Sequence, residues 1–259
     1  MASKLRGIIC FIVIFFSVAV SGPAAANRTG VVLLHGTDGN PSNMGTIASA
    51  LKENGFVVVA PEMPYSGYRK FDKAWEECIP EIDNAVDLLK RQGAETIFVG
   101  GHSRGASAAI YYGTQRAVPG VLAIAPGGNT GQIEGVMRDE VERARKLVAE
   151  GKGDKIGLFD YYNQGIRRTS RTTARVYISY HDPEGAGVIP KNAAALKPGT
   201  ALLWIVGTKD PMYERGPSFA FDKAPPNPHN KYVVVEAGHL QTAFDTDAIR
   251  QIVDWLKGF

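Results

Sequence analysis

Thr96-Ile97-Phe98-Val99-Gly100-Gly101-His102-Ser103-Arg104-Gly105-Ala106 is the stretch from which the rest of the chain can be read. Its first four residues are apolar or β-branched and suit a buried strand. Ser107-Ala108-Ala109-Ile110-Tyr111-Tyr112 follows, a small-residue run compatible with a helix. Strand, sharp turn and helix with a serine at the turn, in the pattern Gly-x-Ser-x-Gly, is a nucleophile elbow. A strand that turns directly into a helix brings backbone against backbone, so a Cβ at Gly101 or Gly105 would clash. The serine is then held in a strained conformation that lifts its Oγ above the sheet. The bare pattern is common by accident, so its meaning depends on partners elsewhere in the chain.

Working outward, Gly30-Val31-Val32-Leu33-Leu34-His35-Gly36 and Phe56-Val57-Val58-Val59-Ala60-Pro61 read as strands, apolar throughout as buried parallel strands are. Residues 42–54 fit a helix stopped at Asn54-Gly55. Residues 72–92 carry Trp75, Ile79, Ile82, Val86 and Leu89 on one helical face, with Pro80 arguing for a kink or two helices. Beyond the elbow, Val121–Pro126, Ala201–Gly207 and Lys231–Glu236 read as further strands, and residues 246–257 as a closing helix. Such alternation predicts a parallel sheet with right-handed crossovers and helices on both faces. It is interrupted by a long amphipathic helix at 132–150 and an irregular, aromatic stretch at 155–198, with one strand-like piece at Arg175–Tyr180. That stretch is too long for a plain connection and reads as a cap between sheet strands.

The first 26 residues stand apart. Lys4 and Arg6 precede an apolar run from Ile8 to Val20, Ser21-Gly22-Pro23 breaks it, and Ala24-Ala25-Ala26 supplies small residues for cleavage. This is the layout of a secretory signal peptide over 1–26, cut after Ala26. The alternative is an uncleaved membrane anchor, for which the run is short of the roughly 20 residues that span a bilayer. An exported protein, periplasmic or secreted and not stably inserted in a membrane, is expected. Cleavage removes two of the 29 basic side chains and none of the 26 acidic ones, leaving a net charge of +1. Nothing in that balance asks for nucleic acid. Arg167, Arg168, Arg171 and Arg175 read as a solvated loop. Cys78 is the one cysteine of the mature chain, so no internal disulfide forms, and it reads as packing in a helix. The five histidines, at 35, 102, 181, 229 and 239, show no zinc-site spacing, and no metal or cofactor is expected.

Ser103, Asp210 and His239 each fall just past the C-terminal end of an expected strand. In a parallel sheet those ends point one way, so the three side chains can converge. A serine hydroxyl is a poor nucleophile and needs a base to take its proton. Histidine titrates near neutrality and can take and return that proton, while a carboxylate orients the imidazole. The backbone N–H of Arg104 opens a helix and points at the developing oxyanion. A second donor should come from the loop after the first strand, where Thr37 is the candidate and Asp38 the fallback. His181-Asp182 is a competing pair, and His35 and His102 read as packing or pocket-lining residues.

Leu34-His35-Gly36, Gly101-His102-Ser103-Arg104-Gly105, Gly207-Thr208-Lys209-Asp210-Pro211 and Ala237-Gly238-His239, in that order, resemble a small serine hydrolase of the α/β-hydrolase fold. The resemblance covers about 30–127 and 200–258. It implies an α/β domain over 27–259, with a mostly parallel sheet of about six strands and a helical cap at about 128–199. The two antiparallel N-terminal strands of the family are not expected here. It further implies cleavage of a carboxylic ester through an acyl-enzyme on a small-molecule acyl substrate. The same residues would serve an amidase, peptidase or thioesterase, and the scaffold also hosts non-catalytic binding proteins.

Overall fold

A computed structural model describes residues 28–133 and 135–259; the expected signal peptide lies outside them. The apolar runs form the central strands β1 (Arg28–Leu34), β2 (Val57–Val59), β3 (Ala94–His102) and β4 (Gly120–Ile124). The strands of the cap are β5 (Ile156–Asn163) and β6 (Ile166–Thr173), and the sheet resumes with β7 (Ala201–Lys209) and β8 (Lys231–Gly238). The main sheet has six strands in the order β2-β1-β3-β4-β7-β8, every pair parallel.

Alternation along each strand divides the interior into two cores. In β1, Val32 and Leu34 enter one core and Val31 and Leu33 the other; in β7, Leu202, Trp204 and Val206 oppose Ala201, Leu203 and Ile205. Helices α1 (Gly45–Glu53) and α7 (Thr246–Leu256) cover one face through Ile47, Leu51, Ile252 and Trp255. Helices α2 (Cys78–Arg91) and α3 (Arg104–Gln115) cover the other, together with the cap. Pro80 does not kink α2. It is the third residue of the helix, in the first turn, where a backbone N–H has no partner within the helix. A short 3₁₀ turn at Trp75–Glu77 leads into it.

The cap between β4 and β7 contains helices α4 (Val136–Ala149), α5 (Ala174–His181) and α6 (Ile189–Ala194), and an antiparallel hairpin, β5–β6. Two elements differ from the sequence reading. Arg175–Tyr180 is helical, because Thr173 caps α5 by accepting from the Val176 N–H at 3.2 Å, and Tyr177, Tyr180 and His181 turn inward on one face. The strands lie just before it, joined at Gln164-Gly165, both with positive φ. The arginine cluster is exposed, mostly on β6 and not in a loop, with Arg167 paired to Asp160 and Arg175 to Asp154. Among the described residues, no helix is long and apolar enough to cross a membrane.

Candidate active site

The elbow forms where β3 runs into α3. Ser103 sits at φ 55°, ψ −122°, a left-handed conformation that a non-glycine residue adopts only under constraint. The constraint is visible on both sides. A Cβ on Gly101 would lie 2.5 Å from the Leu34 carbonyl oxygen, and one on Gly105 2.1 Å from the same atom. The Ser103 N–H donates to the Ile124 carbonyl at 3.0 Å, which ties the turn to β4.

Asp210 follows β7 and His239 follows β8, so neighbouring strands deliver them to the same edge as Ser103. His239 Nε2 lies 2.9 Å from Ser103 Oγ, and His239 Nδ1 lies 2.7 Å from Asp210 Oδ2. The other Asp210 oxygen accepts from the Met212 N–H at 2.8 Å, which fixes the carboxylate plane. Ser103 is 8% exposed and Asp210 4%, so these bonds are shielded from competing water. The chain of atoms can pass a proton from the serine hydroxyl to the imidazole while the carboxylate holds the ring.

Two amides beside Ser103 have no acceptor among the described residues: those of Thr37 and of Arg104, the first residue of α3. The Asp38 N–H, the alternative donor, is spent on the Tyr65 carbonyl at 3.0 Å. Cap and loop are tied together at this point. Tyr161 Oη donates to Asp38 Oδ1 at 2.7 Å, and Asn163 Nδ2 donates to Asp38 Oδ2 at 2.9 Å. His35 sits beneath, its Nδ1–H donating to the Gly36 carbonyl and its Nε2 accepting from the Met63 N–H. Burial lowers its pKa, in keeping with this neutral form.

Residues 31–255 match the model of the alpha/beta hydrolase family. The chain belongs to that family. No curated protein matches this alpha/beta hydrolase in sequence. Among solved structures it is similar to a thermostable carboxyl esterase from Bacillus coagulans, at TM-score 0.66 and 14% identity over 89% of this chain and 90% of that one. It is similar to a monoacylglycerol lipase from Paleococcus ferrophilus, at TM-score 0.61 and 22% identity over 88% and 94%. It is also similar to a thioesterase domain of the curacin biosynthetic pathway, at TM-score 0.54 and 14% identity over 87% and 91%. At these identities the likeness is one of fold.

The hydrolase also answers for the other residues singled out in the sequence. His181 and Asp182 are not a proton-transfer pair. Asp182 is held by Arg145, while the His181 ring is enclosed by Phe71, Tyr161, Tyr177 and Tyr180. Cys78 is buried 3.7 Å from Tyr180 Oη, and burial pushes its thiol up to about 12, so it is a protonated packing group. His102 has a more specific place than pocket lining. Its Nε2–H donates to the His239 carbonyl at 2.8 Å, and burial pushes its pKa down to about 4. The clamp residues Tyr161 and Asn163, and the side chain of Arg104, escaped the sequence reading. The turn at Gln164-Gly165 was the signal for a hairpin that would have placed the first two. Among the described residues, no three His, Cys, Asp or Glu side chains gather as metal ligands would.

Proposed function

We propose that this chain is an exported serine hydrolase that cleaves carboxylic esters through an acyl-enzyme. The observation that carries the reading is the continuous hydrogen-bonded path from Ser103 Oγ through His239 to Asp210. In this mechanism His239 takes the hydroxyl proton as Ser103 Oγ attacks the ester carbonyl. Asp210 holds the ring and stabilises its charged form. The Thr37 and Arg104 amides receive the oxyanion. The tetrahedral intermediate collapses, His239 gives its proton to the departing alcohol, and the acyl group stays on Ser103. Water, deprotonated by His239, attacks that acyl-enzyme and frees the acid.

Family membership supports hydrolysis; ester as the substrate is supported by the esterase and lipase folds among the similar structures. Export rests on the segment from Lys4 to Ala26. The test is a series of p-nitrophenyl esters of increasing acyl length under pre-steady-state conditions. A burst of nitrophenol stoichiometric with enzyme, lost in Ser103→Ala, is the expected result. Hydrolysis that survives Ser103→Ala, or turnover of amides or thioesters in preference to esters, would overturn the reading.

A further inference from the structure

Arg104 contributes more than a backbone amide. Its side chain is 5% exposed and lies in the wall of the cavity that Ser103 and His239 open into. A buried guanidinium ordinarily meets a carboxylate, because an unpaired charge away from water is costly. Arg69, which is less buried, follows that rule and binds both Asp72 and Glu81. Among the described residues, Arg104 has no such partner. Its Nε donates to Thr37 Oγ1 at 2.7 Å, and its guanidinium carbon lies 5.6 Å from the Tyr180 ring centroid and 6.0 Å from that of Phe71.

The groups around it are neutral at ordinary pH. Tyr65, Tyr161 and Tyr180 are held protonated chiefly by burial, and Cys78 titrates at about 12. His181 is pushed below its usual range, first by burial and then by the Arg104 charge itself. The Asp38 carboxylate is turned to Tyr161 and Asn163. Among the described residues, neither terminal nitrogen of Arg104 has a hydrogen-bond acceptor, and Arg104 lines the cavity. Gly128 lines the cavity directly above them: a Cβ there would stand 3.4 Å from Nη1.

The cavity measures about 260 Å³, room for a short chain ending in a planar anion. A second hollow of about 410 Å³ lies against Ser103, where Ile166, Leu240, Ala243 and Phe244 join polar residues that include Asn163 and Arg168. Leu240 and Phe244 are half exposed there, an apolar rim. The two hollows therefore differ in lining: the first holds the Arg104 guanidinium, and the second carries an apolar rim at Leu240 and Phe244.

We propose that Arg104 receives a substrate carboxylate, so that the ester cleaved at Ser103 is charged on one arm and apolar on the other. Guanidinium and carboxylate match as a bidentate pair, and each supplies the partner the other lacks once water is excluded. The charged arm belongs either to a dicarboxylic acid half-ester or to an esterified hydroxy acid. This assignment rests on the serine-hydrolase reading.

The test compares a charged ester with a neutral one of similar length in each of two arms. p-Nitrophenyl hemiglutarate against p-nitrophenyl pentanoate places the charge on the acyl side. The acetate ester of γ-hydroxybutyrate against pentyl acetate places it on the alcohol side. The expected result is that, in one arm, wild type favours the charged ester in kcat/KM by about tenfold or more, mainly through KM. Arg104→Gln erases that ratio and Arg104→Lys keeps part of it. The ratio is taken within each variant, so a general loss of activity cancels. On wild type alone, glutarate competes with neutral-ester hydrolysis and glutaramide does not. Preference for the neutral ester in both arms, a ratio unchanged in Arg104→Gln, or equal inhibition by glutarate and glutaramide overturns the proposal. If Ser103 labels with a fluorophosphonate while the ratios stay flat, this assignment alone falls. If Ser103 does not label and no ester is cleaved, the serine-hydrolase reading falls with it.

Discussion

His102 Nε2–H donates to the backbone carbonyl of His239 at 2.8 Å, so the histidine preceding the elbow serine holds the loop that brings His239 to it. Burial keeps the His102 ring neutral, against the opposing pull of that carbonyl bond. One side chain thus links the end of β3 to the end of β8, across strands that are not neighbours in the sheet.

His102→Phe removes that donor and leaves the His239 carbonyl unsatisfied. We expect kcat on a short p-nitrophenyl ester to fall about tenfold, in line with the sensitivity of proton transfer to small misplacements, with KM nearly unchanged. His102→Gln, whose side-chain amide can reach the same carbonyl, restores most of the loss. Equal losses in the two variants would show that the ring is only filler.

Gly105→Ala places a methyl group 2.1 Å from the Leu34 carbonyl oxygen, a backbone atom in a central strand. Strain of this kind costs about 3 kcal/mol or more, and the melting temperature should fall on the order of 10 °C. A scan of purified Gly105→Ala beside wild type checks this; an unchanged melting temperature would mean that the elbow is looser than its geometry states.

Stability should fall on the acid side. His102 titrates at about 4 in the folded chain against its ordinary 6.5. Above pH 6.5 it is neutral in both states and contributes no pH dependence. As pH falls through 6.5 the unfolded chain gains a proton that the folded chain refuses, and the loss accumulates down to about 4. For this one group the total is about 3 kcal/mol. His35 and His181, both lowered by burial, act in the same direction. Urea midpoints between pH 8 and pH 4 should drop, less steeply in His102→Gln.

The parallel sheet and the three strand-end residues were legible because their causes are local. Val31–Leu34 and Leu202–Val206 are apolar on both faces, and Gly101 and Gly105 sit where backbones touch. The cap was not legible for the opposite reason. In β6, Arg167, Arg168 and Arg171 are exposed, and only Ser170 and Thr172 are buried, so the strand has no apolar face to read. In α5, Val176, Tyr177, Ile178 and Tyr180 are strand-forming types by propensity. A side-chain cap at Thr173 and the packing of Tyr177 on Phe159 and of Tyr180 on Phe71 and Trp75 override that propensity. The Arg104 side chain was missed because a motif reading assigns that position only its amide.

Tyr161→Phe should separate the cap's grip on the loop of Thr37 and Asp38 from its packing. The ring stays and only the bond to Asp38 is lost. Stability should drop by about 1 kcal/mol, and kcat should fall several-fold as the Thr37 amide loses its fixed position, with the burst amplitude retained. A change in KM alone would place the effect in substrate binding instead.

The central claim is that Ser103 is a nucleophile activated by His239. It is tested most directly by exposing the purified protein to a fluorophosphonate and mapping the adduct by mass spectrometry. The account predicts one adduct per chain, on Ser103, absent in Ser103→Ala and slowed by orders of magnitude in His239→Ala. An adduct elsewhere, or none on the intact protein at any pH near neutrality, would contradict it.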